Sequence, residues 1–438
     1  MKKVLIISQY FPPMGSGSVL RPVKFAKYFK EFDWQPIIIT DTPRYYYAKD
    51  DFLLNELKES DTRVYRTRFR GRRNILNDNK LKRLPNEGTR QIFRNLSQVF
   101  YMPDSKKKWQ KRAIDLATNI IENENISIIY TTAPPFRDFN IGVELKKKYN
   151  IPLVIDYRDS WLNSPSRFFL TPFHRFRNMK MEAEALRVAD VVLTINRRIK
   201  ETIIEQYPKI KHNDITIIPH CYDKEDFEHF STQLPRTNKM RFTHTGTFFN
   251  NDTPKYFLQA LAIVFNKRPE LKKKIEACFI GILSKENLNR IKELNLFESV
   301  YAPGYVNHKE CIKYLLASDV LWFMIGKGQG DELVTPVKLT EYIGAEKPIL
   351  ACIPEGAAKL MLKNHNAVKI CEPDNPEDIA QFIMEYYDLY AMNNLPHPNS
   401  EFVNRYDIKN ITHQLVRSFE FLIDIIPQTV IKEQLKSG

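Results

Sequence analysis

Glycine is scarce in this chain, 14 of 438 residues, and cysteine scarcer still at five. The cysteines (Cys221, Cys278, Cys311, Cys352, Cys371) are odd in number, widely spaced and without a CxxC pair. That pattern excludes a disulfide framework and a zinc-finger site, and it predicts reduced core thiols. Long apolar runs are missing too. The most apolar later stretch, Cys311 to Gly326, is broken by Lys313 and Asp319, well short of the roughly 18 residues needed to span a bilayer. The opening apolar segment covers only Val4 to Ile7, too short for a signal peptide, so the expectation is a cytoplasmic protein, at most peripheral on the inner membrane face. There is no GxGxxG fingerprint and no Walker lysine, which argues against kinases and ordinary dinucleotide enzymes. Zinc-finger, homeodomain and RNP-like motifs are also missing, so nucleic acid is not an expected partner.

What is present is an ordinary globular composition, 43% hydrophobic and 27% charged, in a chain long enough for two cores. The net charge of +14 is unevenly placed: Lys58 to Arg112 holds 17 Lys or Arg against 5 Asp or Glu. Within it, Thr89 to Tyr101 puts Ile92, Phe93, Leu96, Val99 and Phe100 on a helical arc of about 120°, with Arg90, Arg94 and Gln98 opposite. A basic helix with a Phe-rich face suits an anionic membrane surface or a lipid diphosphate. The same pattern fits an apolar face packed on its own domain beneath a solvated basic one.

Short apolar strands alternate with helical patterns along the chain. In the first half, strands are expected at 3–8, 36–40, 64–69, 127–131, 152–157, 191–195 and 215–218, and helices at 20–31, 109–124, 138–149, 173–189 and 197–206. Cys221 to Lys239 is polar and reads as a linker. Strands then restart at 240–245, 275–280, 299–301, 320–325, 349–352 and 367–370, with helices between them and a closing helix pair at about 400–425. This predicts an α/β chain of two Rossmann-like, doubly wound domains, 1–225 and 238–395, with closing helices in 396–438. Ligands of such folds bind beyond the carboxyl ends of the strands, in the cleft between domains.

Four loops at those ends carry candidate chemistry. Gly15, Ser16 and Gly17 precede the first helix, where close backbone approach and free N–H groups suit a phosphate or sugar oxygen; a plain tight turn has the same composition. Asp156, Arg158 and Asp159 end an apolar strand and could bond sugar hydroxyls or an attacking hydroxyl, or form an internal ion pair. Gly246 and Thr247 follow the restart strand and lead to a helix start with Lys255, another anion-ready terminus, or a surface lysine. Lys338 and Glu341, three apart on one helix face, could meet a phosphate and a ribose, or merely each other.

Taken in order, ValLeuIleIleSerGlnTyrPheProProMetGlySerGlySer at Val4, ThrThrAlaProProPhe at Thr131, AspTyrArgAspSerTrp at Asp156, GlyThrPhe at Gly246 and ProValLysLeuThrGluTyr at Pro336 resemble glycosyltransferase family 4, with the GT-B fold. The likeness runs from Lys3 to about Ile425. It implies a retaining sugar transfer, hexosyltransferase-like, from a nucleotide-diphosphate sugar bound by the second domain to a glycan or lipid-linked glycan held by the first, as in surface polysaccharide biosynthesis. In the family the residue matching Glu341 holds the donor ribose, and those matching Gly246 and Lys338 approach the diphosphate. The loop matching Gly15 to Gly17 closes over the donor, and a C-terminal helix crosses back to the first domain. Neither a cofactor nor a metal is expected, and no DxD triplet occurs. The chain departs from the family pattern at three places. Leu333 stands where many relatives carry an acid, leaving Asp331 and Glu332 as hexose candidates. Thr247 and Asp252 stand near a usual Arg and Lys, leaving Lys255 as a substitute, and a usual acceptor-side histidine corresponds to Asp156 or a neighbour. A nucleotide-sugar epimerase of the same fold and a non-catalytic membrane-surface binder are the alternatives.

Overall fold

The structure is a computed structural model and describes residues 1–42, 49–58, 60–67, 107–165, 167–230, 233–249 and 251–434. The expected amphipathic helix at 89–101, with most of the basic segment 58–112, lies outside the described residues.

Two parallel sheets organise the rest. The first has seven strands in the order β3-β2-β1-β4-β5-β6-β7 and the second six in the order β10-β9-β8-β11-β12-β13. In the first, β1 is Lys2–Ile7, β2 Trp34–Thr40, β3 Arg63–Arg66, β4 Ile128–Ala133, β5 Leu153–Tyr157, β6 Val191–Thr194 and β7 Ile215–Ile217. In the second, β8 is Met240–Thr245, β9 Ile275–Ile280, β10 Val300–Gly304, β11 Val320–Met324, β12 Ile349–Cys352 and β13 Val368–Cys371. Central strands such as β1, β4, β5 and β11 are buried on both faces by covering helices. This is why they read as continuous apolar runs with no alternation. One glycine sets how closely a helix can lie on the first sheet: a Cβ on Gly142 would come within 2.7 Å of Leu153 and 2.8 Å of Thr131. All five cysteines are free thiols, four of them buried.

Two findings differ from the sequence reading. The polar stretch at 221–239 contains a helix, Lys224–His229, whose Asp226 and Phe227 are buried along with Asp223. Its charges are neutralised by lysines of the first domain, which composition cannot reveal. The closing helix pair is unequal, a short Ser400–Asn404 turn and a long Ile408–Gln434 helix. The long one crosses back onto the first domain: Ile408, Ile411, Leu415 and Phe419 join the cluster beneath β1 and β4. Phe419 is wholly buried, stacked on Phe29 at 5.8 Å and edge-on to Trp34 at 5.3 Å.

Removing that ring leaves a cavity as well as lost apolar burial, which costs about 3–5 kcal/mol at well-packed sites. Phe419→Ala should therefore lower the midpoint of thermal unfolding by several degrees. A melting curve that superposes on the parent's would show that the C-terminal helix does not support the first domain.

Candidate active site

The carboxyl ends of both sheets face one another. Gly17, at the start of the Gly17–Tyr28 helix, lies so near the second domain that a Cβ on it would sit 3.9 Å from Val337 Cβ. The Asn196 amide donates to the Leu333 carbonyl (2.9 Å) and to Thr335 Oγ1 (3.0 Å) while its oxygen caps the Arg197–Gln206 helix. Gly330 packs against the Asn163 carbonyl, where any Cβ would clash. These contacts bring Gly15 to Gly17 beside the amino end of the Val337–Gly344 helix. Ser16 is the N-cap of the first helix without a side-chain bond to it, its Oγ meeting Ser18 Oγ at 2.6 Å.

On the second domain, two of the expected residues, Gly246 and Lys338, converge. Gly246 ends β8 at φ +105°, a left-handed conformation, and Lys338 Nζ lies 3.8 Å from where its Cβ would be. Lys338 also reaches His244 Nε2 at 3.4 Å. Burial pushes the Lys338 ammonium below its usual range, opposed by Asp252. His244 is buried, and its own pKa is pushed well down by burial and then by Lys338, so the ring is neutral. Its Nδ1 faces the Trp322 carbonyl at 3.1 Å, which can only accept. Nδ1 therefore carries the proton and Nε2 offers a lone pair to Lys338. Asp252, whose carboxyl is pushed up by burial, accepts from the Gly326 amide at 2.9 Å. The sequence reading missed His244 because it sits inside an ordinary-looking buried strand.

The remaining donor-side residues spread outward. Thr247 Oγ1 accepts from the Ile282 amide at 3.3 Å. Lys255 opens the Lys255–Lys267 helix with its ammonium 4.9 Å over the Tyr256 ring. Asp331 is buried and accepts from Asn251 at 2.9 Å, whereas Glu332 is exposed.

Glu341 is buried, and its partner is neither Lys338 nor solvent: Oε1 accepts from His308 Nε2 at 2.7 Å. Burial alone would push His308 down, but the Glu341 hydrogen bond and charge, with Asp226, outweigh it and hold the imidazolium up at about 9. From there the charges continue into the hinge. Asp226 lies 3.8 Å from His308 Nδ1, and Lys24 from the first helix bonds Asp226 (2.7 Å), Asp223 (2.9 Å) and Glu56 (2.5 Å). Among the described residues, Glu56, Asp226 and His308 place ligand atoms within 4.8 Å of one another. Lys24 bonds Glu56 and Asp226, and His308 pairs with Glu341, so positive charge already reaches this cluster from protein side chains.

On the first domain the structure corrects one assignment and qualifies another. Asp156, expected to act on acceptor or sugar, is wholly buried under the cleft. It accepts from Arg21 Nε (2.7 Å) and Nη2 (3.0 Å), from Tyr130 (2.5 Å) and from Thr132 (3.0 Å). Four donors from within the domain hold it and it has no exposed surface, so it is a structural anchor. The internal ion pair that the sequence left open exists, but with Arg21 and not Arg158. Arg158 donates instead to the Ser18 and Pro134 carbonyls, pinning the glycine loop to the loop after β4. Asp159 is half-buried beyond the end of β5, and burial, partly offset by Arg158 and Arg167, raises its carboxyl to about 6. Of the three, it alone keeps the character of a site acid.

Because folding raises His308 from 6.5 to about 9, its contribution to stability is fully present below about pH 6.5 and is lost as pH rises through about 9. The thermal midpoint should fall across that window and fall less in His308→Gln. Parallel pH profiles of parent and variant would refute the His308–Glu341 pairing.

Comparison with known proteins agrees with this geometry. Residues 25–226 match the family described as Glycosyltransferase Family 4, and residues 239–388 match Glycosyl transferases group 1. No curated protein matches the chain by sequence. Among solved structures, HepE of Anabaena in complex with UDP and glucose superposes with a TM-score of 0.66 at 15% identity, covering 96% of this chain and 100% of its own. A glycosyltransferase from Rickettsia africae gives 0.63 at 15% identity, covering 96% and 98%. Sucrose-phosphate synthase from Thermosynechococcus elongatus gives 0.64 at 14%, covering 97% and 100%. The first domain thus matches a family 4 glycosyltransferase model and the second a group 1 glycosyltransferase model, on the two-sheet GT-B fold.

Proposed function

We propose that this protein transfers a sugar from a nucleotide-diphosphate sugar to a glycan or lipid-linked glycan acceptor with retention at the anomeric carbon, without a metal ion. The observation that carries the reading is the Lys338 ammonium, half-buried at a helix start beneath a glycine whose missing side chain leaves room for a ligand. Burial strips that ammonium of part of its solvation, and Asp252 is the charge that opposes the loss. A diphosphate arriving over Gly246 would add negative charge, and the attraction would grow as the leaving group becomes more negative in the transition state. Neutral His244 holds Nζ in place without competing for the anion.

The other roles follow from position. Glu341, oriented by His308, accepts from the donor ribose hydroxyls through its remaining lone pairs. Gly15, Ser16 and Gly17 close over the diphosphate from the first domain, with Lys255 adding charge at the second helix start. Asp331 and Glu332 lie toward the hexose. The acceptor oxygen bonds to the anomeric carbon as the bond to the leaving phosphate breaks, and its proton passes to a phosphate oxygen, so no strong protein base is required. Asp159 orients the acceptor hydroxyl. HepE, whose solved complexes hold UDP with glucose and UDP-glucose, supports the donor class. The transferase reading is preferred to an epimerase because both matched families are glycosyltransferases. No helix of the described residues is long and apolar enough to cross a membrane. With a basic segment in the first domain, that supports a peripheral role in surface-glycan assembly at the inner leaflet.

Thermal shift with UDP, GDP, ADP and CMP tests the donor site directly. A cognate nucleotide at about 100 times its Kd should add roughly 2.7 kcal/mol of stability, with or without magnesium. The shift should vanish in Glu341→Ala, and Lys338→Met should lower turnover by about a hundredfold or more, as loss of a transition-state donor does. Unchanged kinetics in Glu341→Ala would sink the ribose assignment, and a shift seen only with magnesium would sink the metal-free one.

A further inference from the structure

The loop that leaves the acceptor side of the cleft ends in a patch that neither the fold nor the transfer reaction explains. Phe168 is 38% exposed, Leu170 55%, Phe173 61% and Phe176 48%. Single exposed apolar residues are common, but four within nine residues of chain concentrate apolar surface that a soluble protein normally avoids. The patch is not frayed chain. Thr171 caps the Pro172–Val188 helix by accepting from the His174 amide, and Pro172 fits its first turn. Asn178, on the buried face of that helix, accepts from Trp161 Nε1 at 3.0 Å. Arg167 donates to the Trp161 carbonyl at 3.0 Å and stacks 4.8 Å from Phe136. A rigid base thus presents Leu170 before the helix and Phe173 and Phe176 on its outward face.

The charges around the patch are of one sign. Between Asp159 and Glu182 the chain holds Arg167, Arg175, Arg177 and Lys180 and no acid. Arg175, Arg177 and Lys180 are exposed, and Phe173, Phe176, Arg177 and Lys180 share one side of the helix at spacings of three and four. Lys180 Nζ lies 4.6 Å from the Phe176 ring, its stem laid along the apolar surface.

We propose that residues 167–180 form a membrane-docking surface that inserts Leu170, Phe173 and Phe176 among the acyl chains of an anionic bilayer, with Arg175, Arg177 and Lys180 at the headgroups. Charge complementarity selects this occupant: a second copy docked symmetrically on the same patch would set arginine against arginine. The surface is separate in sequence from the basic segment 58–112, and it lies on the chain that follows Asp159. It would hold a lipid-anchored acceptor's headgroup region next to Asp159.

Co-sedimentation of the full chain with phosphatidylcholine vesicles, and with phosphatidylcholine–phosphatidylglycerol vesicles, tests this without any turnover, so its outcome is separate from that of the transfer reading. The parent should partition at least about tenfold better onto the anionic vesicles. The triple variant Leu170→Ser, Phe173→Ser, Phe176→Ser should lose about tenfold or more of that binding while keeping the parent's melting temperature, since these side chains are exposed. Arg175→Gln with Lys180→Gln should lose binding to anionic vesicles and become less sensitive to salt. Parent-like vesicle binding by the folded triple variant would overturn the proposal, as would a parent that binds neither vesicle. Conversion of a parent oligomer to a monomer by the triple variant, with vesicle binding unchanged, would overturn it in favour of self-association.

Discussion

The first domain's half of the cleft depends on one buried ion pair. Arg21 and Asp156 are almost wholly inaccessible, and a pair so placed is tolerable only if every remaining hydrogen-bonding position is filled. Here nearly all are. Asp156 takes two bonds from Arg21 and one each from Tyr130 and Thr132, while Arg21 gives two of its other protons to the Ile218 and Pro219 carbonyls at 2.9 and 2.7 Å. The pair therefore locks together the first helix, the ends of β4 and β5, and the exit of β7. An apolar core at this point would hold those elements through packing but would not fix their register to a single hydrogen-bonding geometry. Arg158 extends the same lock outward, joining the carbonyls of Ser18 and Pro134. The glycine loop at the mouth of the cleft is consequently held from beneath.

One turn along the same helix, Lys24 repeats the device at the hinge. It gathers Glu56, Asp223 and Asp226, and Asp226 leads through His308 to Glu341 in the second domain. The carboxylate proposed to hold the ribose is thus at the end of a chain of charges that begins on the first domain's helix. Lys27 and Tyr28 also bond Asp223, at 2.8 and 2.6 Å, so the first link is held by three donors. Any rotation of one domain against the other must change the His308 to Asp226 separation or the His308 to Glu341 bond. The charge on Glu341 is matched by His308, which makes the ribose position a property of both domains rather than of the Val337–Gly344 helix alone.

How much of this was legible in the sequence follows from how local each feature is. The strand order of a doubly wound sheet is cooperative, but each buried parallel strand advertises itself as a short apolar run, so all thirteen strands were readable within a few residues. The placement of Lys338 at a helix start and of Gly246 in the loop after β8 was readable because a loop entering a helix is a local motif. Asp156 was read correctly as a charge at a strand end, yet its partner lies 135 residues away in a helix where Arg21 looks like any surface position. The nearest arginine in sequence, Arg158, was the wrong one. His308 stands 33 residues before Glu341 with nothing around it to mark it. Polar composition at 221–239 predicted a linker because burial of Asp223 and Asp226 depends on lysines contributed by the first helix. Local propensity and apolar pattern specify the scaffold, whereas the buried charge pairs that tune the site are long-range by construction.

The two sides of the cleft also differ in what they have been built to meet. The donor side is small and self-contained: β8 ends, Gly246 turns, and a helix start supplies Lys338 against a neutral histidine. Everything there suits a soluble, highly charged ligand approached through backbone and one ammonium. The side proposed to hold the acceptor is continuous with a different surface. Past Asp159 the chain passes Trp161, touches the second domain where Asn163 and Pro165 meet Gly330, and emerges at Leu170 and Phe173 fully in the open. Trp161 is buried and stacked on Phe136 at 4.7 Å, and Arg167 donates to its carbonyl, so described residues on either side of 166 are anchored to the first domain. Anchoring matters because an exposed apolar patch on a flexible tail could serve solubility or turnover without reference to the cleft, whereas one on the capped helix that follows the Asp159 loop sets the orientation of the whole first domain toward whatever the patch contacts. A water-soluble acceptor would need no such orientation; an acceptor confined to a surface would.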